Sequence, residues 1–130
     1  QDRDSHWAKT GSAPDHLGAV LLVSHDLPLV TYACDRIVVM YSGKVIEKFQ
    51  VSQMRAQQHH PYTRRLLHAA GMGNETDSTL QFPKVAPPNA SGCAWANSCE
   101  LAKKQCFDGS PKLGKIASQQ EVACFLLEGS

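Results

Sequence analysis

Four of the five cysteines fall beyond residue 92, spaced as Cys93-x5-Cys99-x6-Cys106-x17-Cys124. Four thiolates are what a tetrahedral zinc ion or a cubane iron–sulfur cluster requires. Structural zinc sites usually pair cysteines about two to four residues apart, in tight knuckles, and the gaps here are wider. A cluster is a larger object with separated corners, so wide and uneven spacing suits it better. On spacing alone a cluster, a zinc ion, and disulfides or free thiols all stay open. Five cysteines in 130 residues is thin for a disulfide scaffold, and the opening stretch Gln1–Ser5 has neither a basic start nor an apolar core of a leader.

A second place for chemistry is Ser24-His25-Asp26, which directly follows the apolar run Ala19-Val20-Leu21-Leu22-Val23. A continuous apolar run of this length reads as a strand buried on both faces. Ligands of open α/β sheets collect at the carboxyl ends of strands, so His25 is placed to bond a phosphate oxygen or to orient water; taken by itself it reads equally as a histidine that merely caps a loop. A Ser-His-Asp triad is a weaker reading than either, because three adjacent residues cannot point their side chains at one another. His59 and His60 are neighbours, and His68 lies eight residues beyond His60, so none forms the i, i+4 pair of a helical zinc site. They read as surface or helix-capping residues. Cys34 falls on the apolar face of an expected helix and reads as a buried thiol.

The elements that must hold these groups follow from local patterns. Asp26 can cap a helix in which Leu27, Val30, Ala33 and Cys34 recur at helical spacing. Ile37–Tyr41 and Lys44–Phe49 flank Ser42-Gly43, the signature of a tight hairpin. Helical stretches are expected from near Ser52 and again after His60, with Pro61 in the first turn and Gly71 as a stop. Residues 71–92, rich in Gly, Pro, Asn and Ser, read as an extended linker. Residues 1–17 read as a frayed helix end plus a loop, and Trp7 and Trp95 as packing residues.

Composition narrows the function classes. Thirteen Lys and Arg against 12 Asp and Glu leave a net charge of +1, which gives no electrostatic case for nucleic acid. No apolar run approaches the ~20 residues that span a bilayer. Gly109–Ile116 nearly fits the G-x-x-x-x-G-K-[ST] phosphate loop. Ile116 cannot ligate magnesium, and no strand is expected to lead into it, so it is set aside.

The segment Val20-Leu-Leu-Val-Ser-His-Asp-Leu27, with Cys34-Asp35-Arg36-Ile-Val-Val-Met-Tyr-Ser-Gly-Lys-Val-Ile-Glu47, resembles the end of an ABC transporter ATPase domain. His59-His60-Pro61-Tyr62-Thr63-Arg64-Arg65-Leu66-Leu67 is similar to the corresponding stretch of the subfamily that imports oligopeptides, dipeptides and nickel. The resemblance implies an α/β fold: the C-terminal part of a P-loop NTPase domain, followed by a small cysteine-rich, metal-centred extension. It implies that His25 is the switch-loop histidine, which reads the γ-phosphate of ATP, and is the catalytic residue of this stretch. The family's Walker A, signature and Walker B motifs are not among these residues and are expected upstream of Gln1. Alone, the chain is therefore expected to be inactive, and ATP and Mg belong to the whole subunit.

Gly92-Cys93-Ala94-Trp95-Ala96-Asn97-Ser98-Cys99, with Cys106, Pro111 and Val122-Ala123-Cys124, resembles the C-terminal extension of the same subfamily, which in some members holds a [4Fe-4S] cluster. That assigns Cys93, Cys99, Cys106 and Cys124 as ligands, with zinc as the alternative. Trp95, Ser98 and Glu100 stand where the extension usually has Phe, Arg and Pro. The expected organisation is 1–57 for the end of the ATPase domain, 58–92 for a helix and linker, and 93–130 for the extension. The resemblance further implies a second ATPase subunit, transmembrane permease subunits and, indirectly, a substrate-binding protein, at the cytoplasmic face of the inner membrane. The competing expectation is a standalone zinc or iron–sulfur interaction module without ATP chemistry.

Overall fold

The computed structural model describes residues 18–74 and 84–127. The expectations for residues 1–17, Trp7 among them, and for the middle of the 71–92 linker lie outside these residues. Helix α1 (Leu27–Ala33) begins as the sequence predicts: the Asp26 carboxylate accepts the Leu29 N–H at 3.1 Å, and Pro28 sits in the first turn. It ends one residue sooner than expected, so Cys34 closes the helix half-buried instead of facing a core.

Strands β1 (Arg36–Tyr41) and β2 (Lys44–Gln50) form the antiparallel hairpin. Ser42 and Gly43 both have positive φ, 49° and 77°, the two-residue turn whose twist matches its strands. Along β1 burial alternates, placing Ile37 and Val39 inside and Val38 and Met40 outside. Ile37, Val39, Ile46 and Phe49 make the core, and Val30 of α1 packs against it. A 3-10 turn (Val51–Gln53) stands where a longer helix was expected near Ser52.

Helix α2 (Pro61–Ala69) lays Tyr62 and Leu66 on the same core and stops at Gly71, whose φ of +71° suits glycine. Helix α3 (Lys104–Asp108) and strands β3 (Gly114–Ala117) and β4 (Gln120–Val122) follow. The four strands make one antiparallel sheet in the order β1-β2-β4-β3. Packing therefore runs across the segment limits at 57 and 92: β4, from the cysteine-bearing stretch, pairs with β2 of the hairpin. Buried Gln120 strengthens that junction by donating to the Gln58 carbonyl at 2.6 Å. Gly109–Ile116 runs from the end of α3 into β3 and is no phosphate loop.

One expected element is corrected. Ala19–Val23 is not a strand, and Leu21 and Val23 are 91% and 88% exposed. A strand buried on both faces needs neighbours to close its hydrogen bonds, and no strand among the described residues pairs with it.

The pairing of β1 with β2 shifts between Val39 and Met40, so that both Ile46 and Glu47 turn inward. Glu47 is wholly shielded from solvent. It accepts the His59 ring Nδ1–H at 2.5 Å and the His60 backbone N–H at 2.5 Å. The other ring nitrogen of His59 faces the Met54 and Gln53 carbonyls at 3.0 and 3.2 Å. Burial opposes a charge on His59. The hydrogen bond and charge of Glu47, aided by those two carbonyls, outweigh it and raise the pKa above the ordinary 6.5.

A raised folded-state pKa means that the unfolded chain releases this proton first. The stability contributed is complete below pH 6.5 and is lost as pH rises through the folded value. Glu47→Ala should therefore cost about 3–5 kcal/mol near pH ~6, by stranding a buried imidazolium, and clearly less near pH ~9. Urea midpoints of both proteins at the two pH values measure this, and a cost that does not shrink with pH would refute the charged pair.

Candidate functional site: four cysteines around one cavity

Cys93, Cys99, Cys106 and Cys124 line a single cavity with His60, although up to 31 residues of chain separate the cysteines. Pro61, Pro111, Phe125 and Leu126 supply apolar walls, and the space between them is partly open to solvent. All four are free thiols.

Each cysteine is delivered by a short turn. Gly92 lets the chain run against α3: a Cβ there would lie 2.2 Å from the Cys106 carbonyl oxygen. The Cys93 N–H donates to that same oxygen at 2.8 Å, which fixes Cys93 beside Cys106. A 3-10 turn (Ala96–Ser98) carries the chain on to Cys99. Cys106 sits in the first turn of α3, where its sulfur accepts the Lys103 N–H at 3.5 Å. Cys124 lies two residues beyond the end of β4, and the intervening Ala123 N–H donates to the Ile46 carbonyl at 2.8 Å. Trp95, 2% exposed, wedges its ring against Tyr41 and Tyr62 and ties the first two cysteines to the hairpin and α2.

The electrostatics of the sulfurs share one pattern. Burial raises the pKa of Cys93, Cys99 and Cys124, that of Cys99 to about 11. Backbone amides two or three residues on pull the other way, those of Trp95 and Ala96 for Cys93, Leu101 for Cys99, and Leu126 and Leu127 for Cys124. The sulfurs also repel as thiolates, Cys93 with Cys106, Cys99 with Cys93 and Cys124, and Cys124 with Cys93 and Cys106. The arrangement offers amide donors to negative sulfur and lacks enough positive charge to keep it negative; Lys44 assists Cys93 alone. Among the described residues no three His, Cys, Asp or Glu side chains converge closely enough to share one metal ion.

The other candidates fall elsewhere. His25 is exposed in the segment ahead of α1, beside a turn in which Ser24 Oγ accepts the Asp26 N–H at 3.0 Å. Neither His59 nor His60 is a surface residue, since Glu47 draws both inside; His60 does cap α2 through Nδ1, as a capping reading has it. Sequence reasoning missed Glu47 as an interior carboxylate. Its signal was parity, because it lies two residues from Phe49 on the same strand face.

No family model matches the chain. It is similar to the oligopeptide transport ATP-binding protein AppD of Bacillus subtilis, 34% identical over 117 residues, covering 85% of this chain and 35% of that protein. A probable peptide ABC transporter ATP-binding protein of Sinorhizobium fredii is 33% identical over 117 residues, with the same shares. The oligopeptide transport ATP-binding protein OppD of Mycobacterium tuberculosis is 34% identical over 123 residues, covering 90% of this chain and 20% of that protein. The chain spans about a third or less of the length of these relatives. Over that span, the chain is a homologue of the ATP-binding proteins of peptide ABC transporters.

Proposed function

We propose that this chain is the C-terminal portion of the ATP-hydrolysing subunit of an ABC importer for peptides, and that its four clustered cysteines hold a [4Fe-4S] cluster. The sequence similarity carries the first part. An alignment that covers 85% of the chain takes in the β1–β2 hairpin and Cys93, Cys99 and Cys106 wherever it begins. One relationship thus accounts for both halves, and nothing supports a standalone metal module. The names of the relatives speak for peptide as cargo, not nickel.

On this reading residues 1–57 close a P-loop NTPase domain, 58–92 are a helix and linker, and 93–130 form the cysteine extension. ATP with Mg binds the whole subunit, whose partners are a second ATPase subunit, transmembrane permease subunits and, through them, a substrate-binding protein. No helix among the described residues is long and apolar enough to cross a membrane; the subunit docks peripherally on the permease at the cytoplasmic face. His25 contacts the γ-phosphate and couples its presence to the cycle. Its place just ahead of a helix that Asp26 caps supports that role. In the whole subunit His25→Ala should lower ATP turnover by about 10²-fold or more and leave nucleotide binding nearly intact, because help at a reacting phosphate is typically worth 10²–10⁴. Steady-state hydrolysis within about a factor of two of wild type would sink the switch role.

The fit of the cluster rests on the donor set: four free, mutually repelling thiols around one cavity, with backbone amides directed at sulfur. A tetrahedral zinc, with Zn–S bonds of about 2.3 Å, would draw all four sulfurs within about 4 Å of one another. Among the described residues no three such side chains converge on one ion, whereas a four-iron group asks only one thiolate of each iron. When bound, it supplies cross-links between the loops and a reversible one-electron store. The stretch beyond residue 92 buries few large apolar side chains, Trp95 and Val122 foremost, so such cross-links matter to its stability. Chain purified without oxygen should be brown with about four irons. Serine at any one of Cys93, Cys99, Cys106 or Cys124 should bleach it, while Cys34→Ser should not. One zinc and no iron, or two disulfides, would overturn the cluster.

A further inference from the structure

His60 has a second task besides capping α2. Its side chain lines the cysteine cavity, is 1% exposed, and places Nε2 3.9 Å from Cys93 Sγ. The ring cannot turn freely. Its backbone N–H is bonded to Glu47, and its Nδ1 accepts the Tyr62 N–H at 3.0 Å. A neutral imidazole carries one proton, and a nitrogen that accepts cannot hold it, so the proton is on Nε2 and directed at sulfur.

We propose that His60 is a positioning residue of the metal centre, donating its Nε2–H to Cys93 Sγ and thereby raising the reduction potential of the bound cluster. The inference rests on the [4Fe-4S] reading above. A donor to a ligand sulfur withdraws electron density from the metal and favours the reduced, more negative state. The other donors near the cysteine sulfurs are backbone amides. His60 adds a side-chain donor at a cysteine sulfur, and it ties Cys93 to the Glu47 anchor of the hairpin. Substituting it would thus alter the potential at its source.

Two substitutions separate this role from helix capping. Asparagine is a good N-cap, and its amide can stand in for Nδ1 but does not reach the sulfur. Glutamine caps poorly, but its longer side chain carries an N–H to about the position of Nε2. The cluster is rebuilt in the 130-residue chain under nitrogen from ferric iron and sulfide, with excess dithiothreitol as the reductant that brings half of the iron to the ferrous state. It is then reduced by dithionite, one electron per cluster, while electron paramagnetic resonance follows the reduced state. His60→Asn should make reduction about tenfold less favourable, a fall of about 59 mV for one electron. His60→Gln should recover most of that loss. A purely structural residue would give the reverse order in thermal stability and leave both potentials at the wild-type value, and that result overturns the proposal while the cluster stands. Should His60→Asn fail to hold iron, wild-type chain labelled with ¹⁵N-histidine decides. A weak ¹⁵N coupling to the reduced cluster supports the bond, and its absence refutes it. Wild-type chain that takes up no iron at all removes the cluster itself, and the proposal with it.

Discussion

Glu47 has no access to water, and its two oxygens are engaged by consecutive residues, the His59 ring and the His60 amide. An unpaired carboxylate in such a place would be prohibitively costly. The hairpin therefore cannot pack unless residues 59 and 60 come to it, and α2 starts where it does because His60 is held there. The register shift in β2 is what turns Glu47 inward beside Ile46. The same stretch of β2 receives β4, and Cys124 lies two residues beyond the end of β4. One bulged strand thus organises a helix start, a sheet junction and one wall of the cysteine cavity.

The cavity poses the opposite electrostatic problem. Around Glu47 the charges are matched within the chain; around the sulfurs they are not. Burial and mutual repulsion both favour protonated thiols, while the amides favour thiolates. Such a contest has a natural resolution in a bound cation or cationic cluster, whose charge dominates everything near it. His60 stands between the two regions, anchored to the matched one and facing the unmatched one.

How much of this was legible in the sequence depended on the range of the interaction involved. Ser42-Gly43, the Asp26 cap, and the Pro61 start and Gly71 stop of α2 are local devices, and each was readable from a few neighbouring residues. The four cysteines announced themselves by type and spacing, and the structure gathers them on one cavity. Ala19–Val23 misled because apolar composition specifies a buried strand only where a sheet exists to bury it. Glu47 left only its parity with Phe49 as a signal, and β4 and the ring of His60 stayed hidden for a related reason. Their partners lie 12 to 75 residues away, and no local pattern names them.

The two residues that flank the start of the cysteine site show how such long-range fixing works without any metal. Gly92 is required by contact: every larger residue would overlap the backbone of α3, so only glycine lets Cys93 reach its bond with the Cys106 carbonyl. Trp95 acts by volume. Its ring fills the space between Tyr41 at the end of β1 and Tyr62 in the first turn of α2, at centroid distances of 5.1 and 4.9 Å. Phenylalanine, usual at this place in the extensions that the sequence resembles, would fill less of it. Held by a close approach on one side and an aromatic wedge on the other, Cys93 has little freedom to move away from His60. That restraint is what allows a single N–H at 3.9 Å to act as a fixed donor, because its geometry is set by packing on both sides and not by the weak bond itself.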